Sequence, residues 1–362
     1  MNTAPRILLT AKQGDRLPLD AHGSLPPMAH IFEGDSILAV NAAHAAGRPL
    51  LVRGEPGTGK SQLARAVAKR LNRALITKVL DVHTEVRELF YTFDAVARLA
   101  EAQLMAALGE RASDELVHQR LDERRYLRPG PLWWAFDWRD AKRQCALCFE
   151  GRVAHEPEKG ARGGADERVV DPEEPGSADS SKSAIEPEQR DGGDPKNGCV
   201  VLLDEIDKTD ASVPNGLLEA LGSGAFDTPC AGKVTMKPGV DPLVIITTNE
   251  ERELPDAFLR RCVVLQLALP NDEAKLVAWL VERGAAHFEK LGVKVLTIAA
   301  KQLAEDRVQV RKKGLSAPGQ AEYLDLLRTL HHMCPGDERG QLDLLRRASR
   351  FILKKHPAET PA

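Results

Sequence analysis

The stretch that decides the fold is Gly54-Glu55-Pro56-Gly57-Thr58-Gly59-Lys60-Ser61. It satisfies G-x-x-x-x-G-K-[ST] at every fixed position. Before it, Pro49-Leu50-Leu51-Val52-Arg53 is a short apolar run that predicts a buried parallel strand. After it, Ser61 to Leu71 (SQLARAVAKRL) spaces Leu63, Val67 and Leu71 by four, as an amphipathic helix requires. Strand, glycine-rich loop and helix in that order form a phosphate cradle. The glycines let the backbone curl so that successive N–H groups face phosphate oxygens, and the helix N-terminus adds its partial positive charge. Lys60 is expected to set its ammonium on the β- and γ-phosphates, and Ser61 to offer its hydroxyl to Mg²⁺. Gln62, the next helical residue, belongs to the same binding set.

Two further apolar runs end in polar groups. Cys199-Val200-Val201-Leu202-Leu203 leads into Asp204-Glu205, the pattern of a buried central strand with acids at its C-terminal edge. Nucleotides bind at that edge in open α/β sheets. Asp204 is expected to hold Mg²⁺ and Glu205 to polarise an attacking water. Leu243-Val244-Ile245-Ile246-Thr247 ends in Thr248-Asn249, and an amide there can orient the water.

Composition narrows the alternatives. Within 362 residues there are 50 Lys+Arg against 53 Asp+Glu, and the net charge of −3 excludes a globally basic nucleic-acid binder. No apolar run approaches the roughly 18 residues needed to span a bilayer, so no membrane association is expected. Met1 to Thr10 is too short and too weakly apolar for a secretory leader, which predicts a cytoplasmic protein. The six Cys are irregularly spaced and do not make a disulfide framework. From Gly151 to Gly198 the chain turns rich in Gly, Pro, Ser and acids, with 12 Asp/Glu against 7 Lys/Arg. Its few apolar residues cannot offset the entropy of ordering it, so 151–198 reads as a disordered acidic loop inside one domain.

GEPGTGKS, VLLDEID, IITTN and LPDAFLRRC together resemble the AAA+ ATPases, in particular the MoxR-like branch, over about residues 30–150 and 199–350. The resemblance implies an α/β fold: a P-loop NTPase parallel sheet in the order 5-1-4-3-2, followed by a small all-helical lid. It divides the chain into an N-terminal extension (1–29), an ATPase core (30–270) and a lid (271–362). The core would carry a helical, Trp-rich insertion (84–150) and the acidic loop. It implies ATP and Mg²⁺ as cofactors, with Gly54–Ser61 as Walker A, Asp204 and Glu205 as Walker B, and Asn249 as sensor 1. Arg261, with Arg260 as second choice, falls where the family places an arginine that reaches a neighbouring subunit's γ-phosphate. A homo-oligomeric ring and a protein client are therefore implied, with no direct nucleic-acid partner. The insertion resembles a MoxR-like subset found beside von Willebrand factor A domain proteins. A basic sensor-2 residue is expected near Ser316 and Ala317, with Lys312 and Lys313 as the nearest cations.

Two functions compete. One is an ATP-hydrolysing ring that remodels a protein partner. The other is a slow nucleotide-dependent switch or scaffold that presents the insertion. No Asn-Lys-x-Asp guanine-reading motif follows a strand. Thr84 to Glu110 is expected to be helical, and so are Asn271–Phe288, Glu322–His332 and Glu338–Lys355. Arg65, Lys69, Arg70 and Arg73 read as a solvated or subunit-facing basic face. Trp133, Trp134 and Trp138 form a partner patch or, more in keeping with aromatic chemistry, a local mini-core. Cys145 and Cys148 have the spacing of half a zinc site but read better as free thiols.

Overall fold

The computed structural model describes residues 8–21, 26–109, 113–149, 186–189, 193–239, 241–315 and 317–353. Most of the expected acidic loop lies outside the described residues. The chain divides into two compact units. The first comprises Met1–Val86, Gln189–Ser223 and Lys237–Ala362, and the second Arg87–Glu188 and Gly224–Met236. The first unit opens with β1 (Arg16–Leu19), β2 (Met28–Ile31), α1 (Gly34–Ala46), β3 (Leu50–Arg53), α2 (Lys60–Arg70) and β4 (Ala74–Val79). The second supplies β5 (Tyr91–Phe93), α3 (Ala95–Leu108), α4 (Asp114–Leu121), β6 (Leu127–Pro129), α5 (Pro131–Phe136) and α6 (Trp138–Phe149). The first resumes with β7 (Cys199–Asp204) and α7 (Ser212–Ser223), and the second adds the hairpin β8 (Ala225–Thr228) and β9 (Gly232–Thr235). The first closes with β10 (Leu243–Thr248), α8 (Asp256–Leu259), β11 (Val263–Gln266), α9 (Glu273–His287), α10 (Val293–Lys312), α11 (Gln320–Met333) and α12 (Glu338–Ile352).

The central sheet has five parallel strands in the order β11-β3-β10-β7-β4. Counted along the chain from β3, that is the expected 5-1-4-3-2. Every residue of β10 is buried, as are the first five of β7, because helices cover both faces of a parallel sheet. Leu50, Val52, Val200, Leu202 and Ile245 share one core with Leu63 and Val67 of α2. Register then sets function. Thr248 pairs with Arg53, and Ile246 with Leu203. The parallel strands therefore end level, and the glycine loop after Arg53, the acids at Asp204-Glu205 and the amide at Asn249 come to one edge.

The segment before α1 is built into this core. Leu9 and Leu19 are each 1% exposed, and Asn41 on α1 accepts from the Leu8 and Leu9 amides at 3.0 and 2.8 Å. The basic residues of α2 and the turn after it differ from expectation. Arg65 is buried and donates to the Asp20 carbonyl, and Arg73 is buried and donates to the Asp241 carbonyl. Only Lys69 and Arg70 lie on the more open side, paired with Asp20 and Asp15. Guanidinium groups fit there because carbonyl oxygens meet them.

Helices α9 to α12 enclose a second core of Leu280, Val295, Leu303, Tyr323, Leu327 and their neighbours. At Gly284 a side chain would meet the Tyr323 hydroxyl at 2.8 Å, so α9 approaches α11 closely only because nothing projects there.

The stretch expected to be helical, 84–110, is not one helix among its described residues. Val86–Leu89 forms a 3₁₀ turn, Tyr91–Phe93 pairs with β6, and helix begins only at Ala95. Asp94 accepts from the Ala97 amide at 2.9 Å and so caps a helix that the β-favouring Tyr-Thr-Phe run cannot extend backwards. Trp133, Trp134 and Phe136 are buried, with Trp133 and Phe136 beside Phe226 of β8. Trp133 Nε1 donates to Asp140 at 2.9 Å, which completes a local core. Cys145 and Cys148 lie on α6 as buried thiols.

Candidate functional site

Lys60 is the first residue of α2, and the loop before it requires its glycines. Gly54 has φ +153°, and a Cβ there would come 2.3 Å from the Leu267 carbonyl oxygen. Gly57 and Gly59 have φ +76° and +91°, the left-handed region that favours glycine. Thr58 Oγ1 donates to the Glu55 carbonyl at 2.9 Å and tightens the turn. Lys60 Nζ sits inside this curl, donating to the carbonyls of Gly54 and Glu55 at 2.8 and 2.9 Å and to Asn249 Oδ1 at 2.8 Å. Burial pushes the Lys60 ammonium below its ordinary value, and the carboxylates of Asp204, Asp207, Glu205 and Glu250 work in the opposite direction.

Next to it, Ser61 Oγ lies 2.9 and 2.8 Å from the two Asp204 oxygens. Thr247 Oγ1 donates to Asp204 and accepts from the Glu205 amide at 3.0 Å. Glu205 holds a left-handed backbone, φ +65° and ψ +49°, at a cost of about 1 kcal/mol for a non-glycine residue. That kink turns the chain from β7 into a short 3₁₀ turn, Ile206–Lys208. Glu205 Oε1 accepts from Asn249 Nδ2 at 3.3 Å, and Oε2 accepts from Lys208 Nζ at 2.6 Å. Asp207 is 2% exposed and accepts from the amides of Asn249 and Glu251 at 3.3 and 3.0 Å. It pins the loop that presents Asn249.

The helical region reaches the same loop. Glu55 is bound by Arg307 Nη2 at 2.8 Å and Arg311 Nη2 at 2.7 Å, both on α10. Burial alone would raise the Glu55 carboxyl, but the hydrogen bonds from Arg307 and Arg311 outweigh it and hold the group below its ordinary value. A Cβ on Gly57 would meet that of Ala321 at 2.9 Å, so the start of α11 lies against the loop. A cleft beside Gly59 is lined by Ala29, His30, Gln62, Leu269, Trp279 and Gln320. The Arg283 guanidinium stacks 3.3 Å from the Trp279 ring centroid, and both side chains donate to Glu33. His30 Nε2 is buried with no hydrogen-bond partner among the described residues. Burial, with Arg283 nearby, lowers the His30 pKa to about 4.

The structure thus links Lys60, Asn249 and Glu205 by one run of hydrogen bonds and Ser61 with Asp204 by another, joined through Thr247, and sets Gln62 in the adjoining cleft. Arg260 and Arg261 stand apart from that group. They follow α8 as exposed residues, and among the described residues their guanidinium groups make no hydrogen bond or ion pair. Ser316 lies outside the described residues. Among the described residues, the α10 cations that pair with Glu55 of the loop are Arg307 and Arg311. Arg307 and Arg311 share a helix face by their spacing of four, the one signal in the sequence that could have singled them out. Thr247 follows from the parallel register, once the pairing of β10 with β7 is known.

Residues 35–226 match the family described as AAA ATPase domain. The chain belongs to that family. Among solved structures, this AAA ATPase domain protein is similar to two variants of Thermotoga maritima RuvB, one proline-to-glycine and one threonine-to-valine. The first is 13% identical, covers 87% of this chain and 68% of that chain, and has a TM-score of 0.39. The second is 13% identical over 87% and 67%, with a TM-score of 0.37. No curated protein matches the AAA ATPase domain chain at a significant level. Among the described residues, no helix is long and apolar enough to cross a membrane.

Proposed function

We propose that the chain binds ATP with Mg²⁺ and hydrolyses it, acting as a MoxR-like AAA+ ATPase that assembles into a homo-oligomeric ring and remodels a protein partner. The observation that carries this reading is the cluster of Lys60, Ser61, Asp204, Glu205 and Asn249 at one sheet edge. These residues lie at or just beyond the ends of three strands that register brings level.

The residues fit a magnesium ion. A hydroxyl and a carboxylate already in contact make a hard-oxygen donor pair. Mg²⁺ needs few protein ligands, because phosphates and waters fill most of its octahedron. Ser61 and Asp204 would hold it, and when bound it would neutralise charge on the β- and γ-phosphates. Lys60 would leave the Gly54 and Glu55 carbonyls for phosphate oxygens, a stronger charge-assisted bond. Asn249 would orient the attacking water and Glu205 Oε1 would accept its proton. The cleft beside Gly59 would take the nucleobase. Residues 271–362 would serve as a lid, tied to the loop through Glu55. Arg261, or Arg260, would complete a neighbour's site, since neither is committed to a partner in its own chain among the described residues. A von Willebrand factor A domain protein is the class of client this reading favours.

Turnover against protein concentration, with solution mass measured with and without ATP and Mg²⁺, tests the reading. Specific activity should rise as the mass rises. A monomer with constant, slow turnover would support a nucleotide-dependent switch instead.

A further inference from the structure

The turn after β7 holds a cation that the proposed reaction does not otherwise use. Lys208 Nζ lies 2.6 Å from Glu205 Oε2, with the two side chains 37% and 30% exposed. The hydrogen bond to Glu205 raises the Lys208 ammonium above its ordinary value. The contact is dictated by the backbone. Glu205 is the left-handed residue that starts the 3₁₀ turn, and the Lys208 amide closes that turn on the Glu205 carbonyl at 3.1 Å. Side chains three apart eclipse on a 3₁₀ helix, so Lys208 lies over Glu205.

The two oxygens of Glu205 therefore face different groups. Oε2 is taken by Lys208, and Oε1 by Asn249 Nδ2, whose own Oδ1 accepts from Lys60. A carboxylate with one oxygen tethered has its other oxygen aimed. We propose that Lys208 is a positioning residue for hydrolysis: by holding Glu205 Oε2 it orients Oε1 toward the water beside Asn249. The inference rests on the reading of Glu205 as the base. Lys208 touches neither phosphate nor water in this scheme and acts only through Glu205. The neighbouring Asp207 has a separate task, since it grips the backbone of the Asn249 loop.

The test uses full-length protein and steady-state ATP hydrolysis with Mg²⁺. Lys208→Met should lower kcat about tenfold, less than the roughly hundredfold cost of a 1 Å misplacement, because Asn249 still holds Oε1. It should leave KM for ATP within twofold, because the phosphate cradle is untouched. Lys208→Arg, which keeps a donor at i+3, should recover most of the loss. In a Glu205→Gln background, Lys208→Met should cost nothing further. A kcat unchanged or raised in Lys208→Met, or an equal further loss in the Glu205→Gln background, would overturn the inference. So would a KM that rises in step with the loss of kcat. Undiminished turnover in Glu205→Gln alone would remove the base assignment beneath it, a failure told apart by that single variant.

Discussion

Ser61 Oγ reaches both carboxylate oxygens of Asp204, at 2.9 and 2.8 Å, across 143 residues of chain. The contact joins the first turn of α2 to the end of β7, and on the proposed reading Mg²⁺ would sit there. Ser61→Ala is expected to weaken Mg-ATP binding about tenfold, roughly the 1.4 kcal/mol of one lost ligand contact. Asp204→Asn should leave nucleotide bound but lower turnover about a hundredfold, since the metal would be misplaced. Titration calorimetry with and without Mg²⁺ separates the two. An affinity indifferent to Mg²⁺ in the unaltered protein would remove both residues from a metal site.

Lys60 donates to two backbone carbonyls and to Asn249, so its ammonium is already held where a phosphate would arrive. Lys60→Ala should weaken ATP at least a hundredfold, about 3 kcal/mol, with the fold retained. A fluorescent ATP analogue reads the binding and circular dichroism reads the fold. Hydrolysis left intact would show that the phosphates lie elsewhere.

Much of this was legible in the sequence, and the reason is local. The glycine loop, the Asp204-Glu205 pair and Asn249 each sit where a run of apolar residues ends, and parallel register makes the ends meet. What escaped is non-local. Nothing near Glu55 indicates that Arg307, 252 positions on, donates to it. The basic look of α2 and the turn after it misleads because Arg65 and Arg73 find backbone carbonyls inside the fold. Thr84 to Glu110 has a helical composition, yet Asp94 caps a helix that starts only at Ala95, after a Tyr-Thr-Phe strand.

Glu55 holds Arg307, whose side chain is 4% exposed, and Arg311 at once. Glu55→Ala leaves the Arg307 guanidinium buried with, among the described residues, only the Pro318 carbonyl to meet it. The carboxylate is itself 44% exposed, which moderates the loss to about 1–2 kcal/mol of stability. Urea unfolding reads the change. Arg307→Met combined with Glu55→Ala should recover part of it, because the unpaired charge is gone.

His30 predicts a pH response. Its pKa is depressed to about 4 by burial, with Arg283 adding to the effect, so the folded state resists a proton that the unfolded chain accepts near 6.5. Stability from the neutral ring is present above pH 6.5 and is lost as pH falls toward 4. Burial also lowers His287, which acts in the same direction. With Nε2 sealed, the His30 share between pH 7 and 5 is about 1–2 kcal/mol. His30→Gln should flatten that limb in denaturant melts at the two pH values. A limb of unchanged slope would assign the acid sensitivity to other groups.

Arg261 offers the decisive test of assembly. It follows α8 in an exposed position, just before the edge strand β11, and neither it nor Arg260 makes a side-chain hydrogen bond or ion pair among the described residues. On the proposed reading, its guanidinium would meet a phosphate held by another copy. Arg261→Ala should lower turnover about a thousandfold without changing ATP affinity, the scale typical of an arginine supplied in trans. Lys60→Ala subunits hold ATP too weakly to turn it over but keep Arg261, so mixing the two inactive variants should restore activity. The restored rate should peak at an intermediate ratio, since each working site needs one subunit of each kind. If no ratio restores turnover while Arg260→Ala mixtures do, the neighbouring arginine holds the role. If neither mixture does, each subunit hydrolyses without help from the next, and the ring has no part in the chemistry.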